Sequence, residues 1–198
     1  MKKEISAHDF KSIYPAFGID LSDLGCVMLD LITPFDLDKY GKSLNDNYLY
    51  KAKDKNKFWI DGFVALDTPH ITLLYGLLKS AHDYSEAIET VLSGWELYTA
   101  TVDRVGYFES PYPDEPYYCI VAHMALTPDL MEGHNRLEML PHINTFPGYK
   151  AHFTVCYVKK DKKIRDAVIK DLNTILKGRG LAIANTKHPK GLNFGIKK

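Results

Sequence analysis

The sequence predicts an α+β fold: two pseudo-symmetric lobes of antiparallel sheet with flanking helices, around a central cleft that carries two His-x-Thr strands. Three observations lead there. The phrase His-x-Thr occurs twice, as His70-Ile71-Thr72 and His152-Phe153-Thr154, 82 positions apart in a chain of 198 residues. Each copy sits in an apolar run of strand length, and each run is followed at once by a helical pattern. With 45% hydrophobic and 25% charged residues, the chain can bury one sizeable core, so residues 1–198 read as a single two-lobed domain.

Taken in order, Cys26 to Ile32 reads as a mostly buried strand that Pro34 ends. Residues 34–57 are lysine-rich with little periodicity, which predicts a long excursion or flap. Phe58 to Leu66 reads as strand, Asp67-Thr68-Pro69 as a turn, and His70 to Leu78 as the first His-x-Thr strand. Ser80 and Asp83 have capping-box spacing, and Tyr84, Ala87, Ile88, Val91 and Leu92 form a helical stripe closed by Gly94. Residues 96–108 predict a further strand. Tyr117 to Leu126 is another, followed by Thr127-Pro128 as helix cap and first helical position, with Pro141 as the stop. A Pro-Gly turn at 147–148 leads into Ala151–Val158, the second His-x-Thr strand. Ile164, Val168, Leu172 and Ile175 then mark a helix ending at Gly178, and residues 181–196 return to strand.

In an extended strand, residues i and i+2 face the same way, so each His shares a face with its Thr. If the two strands lie side by side, two imidazoles and two hydroxyls converge. An imidazole titrates near neutral pH, so one can take a proton from an attacking hydroxyl while the other gives one to a leaving oxygen. Thr72 and Thr154 can hold phosphoryl oxygens, each hydrogen bond to developing charge contributing about 2–4 kcal/mol in the transition state. That set suits metal-free cleavage of a phosphodiester beside a ribose 2′-hydroxyl. Among the 13 Tyr, 9 Phe and 2 Trp, most build core, but planar rings also stack on bases. Trp95, just past a helix-ending Gly, is the first choice for that role and Tyr14 the second. Lys150, two residues before His152, can reach a phosphate, although plain surface charge explains it as well.

Other classes are disfavoured. His8, His82, His123, His134, His142 and His188 show no metal-ligand spacing, and no Cys-x-x-Cys occurs, so neither a metal nor another cofactor is expected. Lys177-Gly178-Arg179-Gly180 follows a helix where a phosphate loop would open one. Cys26, Cys119 and Cys156 lie in apolar runs and read as reduced, buried thiols. The net charge is zero, yet from Lys159 onward there are 12 Lys/Arg against 3 Asp/Glu. A zero total argues against coating duplex nucleic acid; the basic end either solvates a helix face or attracts a small phosphorylated ligand. No apolar run approaches the length that crosses a bilayer, and Met1-Lys2-Lys3-Glu4 starts no secretory signal, so a cytoplasmic location without membrane attachment is expected.

The stretches Pro69-His70-Ile71-Thr72-Leu73-Leu74-Tyr75-Gly76 and Ala151-His152-Phe153-Thr154-Val155-Cys156-Tyr157 resemble the paired motifs of the two-histidine (2H) phosphoesterase superfamily, which contains the RNA ligase-like cyclic phosphodiesterases. The pseudo-repeat covers most of residues 25–186. The resemblance implies a two-lobed antiparallel fold, metal-free chemistry, and His70, Thr72, His152 and Thr154 as catalytic positions. Within that superfamily the chain is similar to the phage anti-CBASS nucleases, through HITLLYG, Trp95, Tyr14 and Phe17. That similarity implies a small cyclic oligonucleotide such as cyclic GMP–AMP as substrate, 3′–5′ bonds cut by 2′-hydroxyl attack, and the host bacterial cytoplasm as location. Those nucleases carry a late acidic residue that helps hold a base, whereas here no Asp or Glu follows Asp171. Two alternatives stay open: an enzyme acting on 2′,3′-cyclic phosphates or RNA ends, and a sponge that binds a nucleotide without cutting it.

Overall fold

A computed structural model describes residues 24–51, 62–65, 69–110, 116–144, 148–184 and 190–196. Within them, two antiparallel sheets with flanking helices make an α+β fold. Strands β1 (Gly25–Asp30), β2 (His70–Leu77) and β7 (Leu192–Ile196) form a three-stranded sheet in the order β2-β1-β7. Strands β3 (Thr99–Glu109), β4 (Tyr117–Met124), β5 (His152–Lys159) and β6 (Gly180–Ala182) form a four-stranded sheet in the order β5-β4-β3-β6. Helices α1 (Phe35–Ser43), α2 (Ser85–Val91), α3 (Pro128–Leu137) and α4 (Lys162–Leu176) complete the elements used below.

Both His-x-Thr strands are sheet edges, and the two edges touch. Beyond the motif, each edge is covered by a short extended segment. On β2, Leu77 bridges His142 and Ile143 N–H donates to Gly76 O. On β5, Leu49 bridges Val158, Phe63 bridges Cys156, and Val64 N–H donates to Val155 O. Capping the far half of each edge leaves the motif halves to meet each other.

One contiguous core joins the two sheets, running from Val27, Leu29, Ile71 and Leu73 through Phe153, Val155 and Val158 to Val168 and Leu172 on α4. Ile71 and Phe153, the middle residues of the two motifs, are fully buried. Each such side chain contributes about 1.5–3 kcal/mol, which ties the orientation of the neighbouring His and Thr to core packing.

Helix ends follow local chemistry. Thr127 Oγ1 accepts from Leu130 N–H at 3.4 Å with Pro128 at the first position, as expected. Asp161 caps α4 by accepting from the N–H groups of Lys163 and Ile164, and Gly94 and Gly178 adopt positive φ where their helices stop. Ser80 opens a 3-10 turn, Ala81–Tyr84, before α2 begins.

Residues 34–51 depart from the expected flap, because α1 and a 3-10 turn at Asp46–Tyr48 occupy them. Helix α1 buries Leu37 fully and packs Tyr40 and its C-cap Leu44 against the core as a short stripe; Asp36 and Asp38 in its first turn and Lys42 in its last suit its dipole. Residues 52–61 lie outside the described residues, as do Leu66 of the expected strand and Asp67 and Thr68 of the expected turn. The strand expected over 181–196 is two strands, β6 and β7, in different sheets. No helix among the described residues is long and apolar enough to cross a membrane.

Candidate active site

Side chains alternate along β2 as they should at first, with His70 and Thr72 partly exposed and Ile71 and Leu73 buried. Against β1, Val27 pairs with Leu74 and Met28 with Thr72, so Leu73 is an extra residue, a bulge. Strand β5 repeats this three residues after its own His. Ile120 pairs with Cys156 and Val121 with Thr154, leaving Val155 as the extra residue. Each bulge shifts the alternation by one, which returns Tyr75 and Tyr157 to the partly exposed face of His and Thr. The repeated unit in space is therefore His-x-Thr-x-x-Tyr.

Backbone groups fix the first motif. Tyr149 O–H donates to Thr72 O at 3.0 Å, and His134 Nδ1–H donates to Leu73 O at 2.6 Å. The two rings stack, 3.8 Å between centroids and 9° between planes. Together they satisfy carbonyls at and beside the bulge. His134 is 8% exposed, and its Nε2 lies 3.4 Å from Glu138. At Gly76, φ is +99° and an added Cβ would fall 2.2 Å from Ile143 O, so only glycine fits.

Side chains surround the second motif. His152 Nδ1 sits 2.6 Å from Lys150 O; a carbonyl can only accept, so Nδ1 carries the proton and Nε2 the lone pair in the neutral ring. Burial holds the His152 imidazole below its ordinary value against that carbonyl's opposing pull, and a charge on nearby His70 lowers it further. His70 therefore lies near enough to His152 for its charge to be felt there. Cys119 Sγ lies 3.9 Å from Thr154 Oγ1, and Tyr157 bonds to the same pair. Burial pushes the Cys119 thiol up to about 11, so it stays protonated and is no nucleophile. Phe108 meets His152 edge to face at 5.1 Å and His123 at 5.7 Å.

The residues expected from the sequence divide as follows. His70, Thr72, His152 and Thr154 lie on the two strands that meet, and exposed Lys150 adjoins His152. Trp95 does not offer a face to a base: it is 3% exposed, its Nε1–H donates to Asp129 O at 2.7 Å, and its ring fills the space a Gly133 side chain would take. Tyr14 and Phe17 lie outside the described residues. Sequence reasoning missed His123, Phe108, Tyr149, His134 and Cys119 as neighbours of the motifs. The available signal was alternation along Tyr117–Met124, which puts Cys119 and His123 on one face apart from a shared partner strand, but only the register pairs His123 with His152. Among the described residues no three His, Cys, Asp or Glu side chains gather as a metal site.

No protein-family model matches the chain. No curated protein matches it either. Among solved structures, Kluyveromyces marxianus Usb1 is similar at 10% identity and a TM-score of 0.48, covering 90% of this chain and 96% of that one. The same protein with uridine monophosphate is similar at 10% identity and a TM-score of 0.46, covering 89% and 95%.

Proposed function

We propose that the protein is a metal-independent phosphodiesterase of two-histidine type, cutting 3′–5′ bonds of cyclic di- or trinucleotides by attack of the ribose 2′-hydroxyl. The carrying observation is the pair of edge strands with the same burial pattern and the same bulge, which present His, Thr and Tyr twice. His152 is the base: its Nδ1–H is held on a carbonyl and burial keeps the ring neutral, leaving Nε2 to take the 2′-hydroxyl proton. O2′ bonds to phosphorus, the P–O5′ bond breaks, and His70 gives its proton to O5′. The product is a linear nucleotide ending in a 2′,3′-cyclic phosphate, and solvent restores both rings. Thr72 and Thr154 donate to the phosphoryl oxygens as charge grows there. An anti-defence role follows from the substrate class.

The test is incubation with 3′–5′ cyclic GMP–AMP in excess EDTA, followed by mass. A linear product that the His152→Ala protein does not make is the expected result. An intact ring, with turnover of a nucleoside 2′,3′-cyclic phosphate, would move the substrate to RNA ends. Intact ligand recovered from both incubations would make the protein a sponge.

A further inference from the structure

Across the four-stranded sheet, Arg104 of β3 pairs with His123 of β4, and His123 pairs with His152 of β5. Residues paired across neighbouring strands share a face, so the three form one row, two strand spacings or about 10 Å long. The His123 and His152 ring centroids are 6.4 Å apart. Gly106 makes room for the row, since a Cβ there would lie 2.9 Å from His123 Nε2. Phe108 walls one side, its ring edge-on to both imidazoles. Lys150 flanks the row, and the charges of Arg104 and Lys150 both reach His123. One carboxylate opposes them: Asp103, at the irregularity before Arg104, holds Arg104 Nη1 at 2.7 Å, with both side chains more than half exposed.

We propose that Arg104, His123 and Lys150 form a subsite for a second phosphate, one nucleotide away from the bond cut at His152. Arg104 and Lys150 supply two permanent cations at an open rim, with the His123 imidazole between them, the chemistry that recognises a phosphate dianion or diester. This rests on the proposed function for placing the scissile phosphate. A nucleoside 2′,3′-cyclic phosphate leaves the row empty, whereas an oligonucleotide or a cyclic dinucleotide fills it.

The experiment measures binding of uncleavable 2′-deoxy dinucleotides by calorimetry at low salt: dAdA against the same molecule with a 5′- or a 3′-phosphate. Wild type should bind one phosphorylated form about tenfold more tightly, the size of one charge-assisted contact. That ratio should fall to about one to two in Arg104→Gln and Lys150→Gln, and should rise in Asp103→Asn. A ratio near one in wild type, or one unchanged by Arg104→Gln, overturns the subsite. Turnover of the matching ribonucleotides separates the two ideas: binding with phosphate preference but no cleavage overturns the phosphodiesterase alone, and cleavage indifferent to the extra phosphate overturns the subsite alone.

Discussion

Strands β2 and β5 carry the same motif, burial pattern and bulge, yet they are held in place by different means. Around His70 and Thr72 the supports act on the main chain, with Tyr149 and His134 on two successive carbonyls and Gly76 pressed against Ile143 O. Around His152 and Thr154 the bulge carbonyl, Val155 O, takes only backbone N–H groups, those of Val64 and Ala65, and the functional side chains have contacts of their own, with Lys150 O on the imidazole, Cys119 and Tyr157 by the threonine, and Phe108 against the ring. The first strand is positioned; the second is tuned. A duplicated motif can thus yield two unlike histidines, as one acid and one base require.

The largest test removes the motifs themselves. His70→Ala and His152→Ala should each lower kcat by about 10³-fold or more while nucleotide affinity, read by calorimetry, changes little. Substantial activity in either variant would end the two-histidine mechanism. Next, Thr72→Val and Thr154→Val should each cost about 10²-fold in kcat, with KM nearly constant. If only one of the two matters, the symmetry of phosphate binding fails.

The supports should then separate. Tyr149→Phe leaves the Thr72 carbonyl without its donor, so kcat should fall about tenfold and stability by about 1–2 kcal/mol in denaturant titration. Cys119→Ala should lower kcat only about threefold, matching a weak thiol contact. Equal effects would contradict the contrast between main-chain and side-chain support.

The smallest effects are in pH. With His152 as base and its value lowered, the rising limb of kcat/KM should have its midpoint below the ordinary imidazole value of about 6.5, and Phe108→Ala should move it up by relieving burial. Stability follows the same sign. His123 and His152 both resist protonation when folded, so unfolding binds protons between their folded values and about 6.5. The melting temperature should be steady above that range, fall as pH drops through it, and level off below; His123→Asn should flatten part of the slope.

Much of this was legible in the chain. Thr127-Pro128, Gly94, Gly178 and both apolar runs predicted their elements because caps and periodicity are local. The bulges were not, since an extra residue exists only relative to a partner strand. Helix α1 escaped because its stripe is only Leu37, Tyr40 and Leu44, set among Asp36, Asp38, Lys39 and Lys42 in a lysine-rich stretch. Trp95 was misassigned because its partner, Gly133, lies on a later helix, and a missing side chain gives no sequence cue for what fills it.

The matching bulges also act against error. A strand whose side chains simply alternate can slide by one residue along its neighbour, and such a slip would turn both His and Thr from the partly exposed face into the core. Leu73 and Val155 each bury an unmatched residue that fits one alignment only. Deleting either removes that lock: the remaining residues can keep their pairs, Thr72 beside Met28 and Leu74 beside Val27, or Thr154 beside Val121 and Cys156 beside Ile120, but nothing then marks the one alignment that keeps the imidazoles on the partly exposed face.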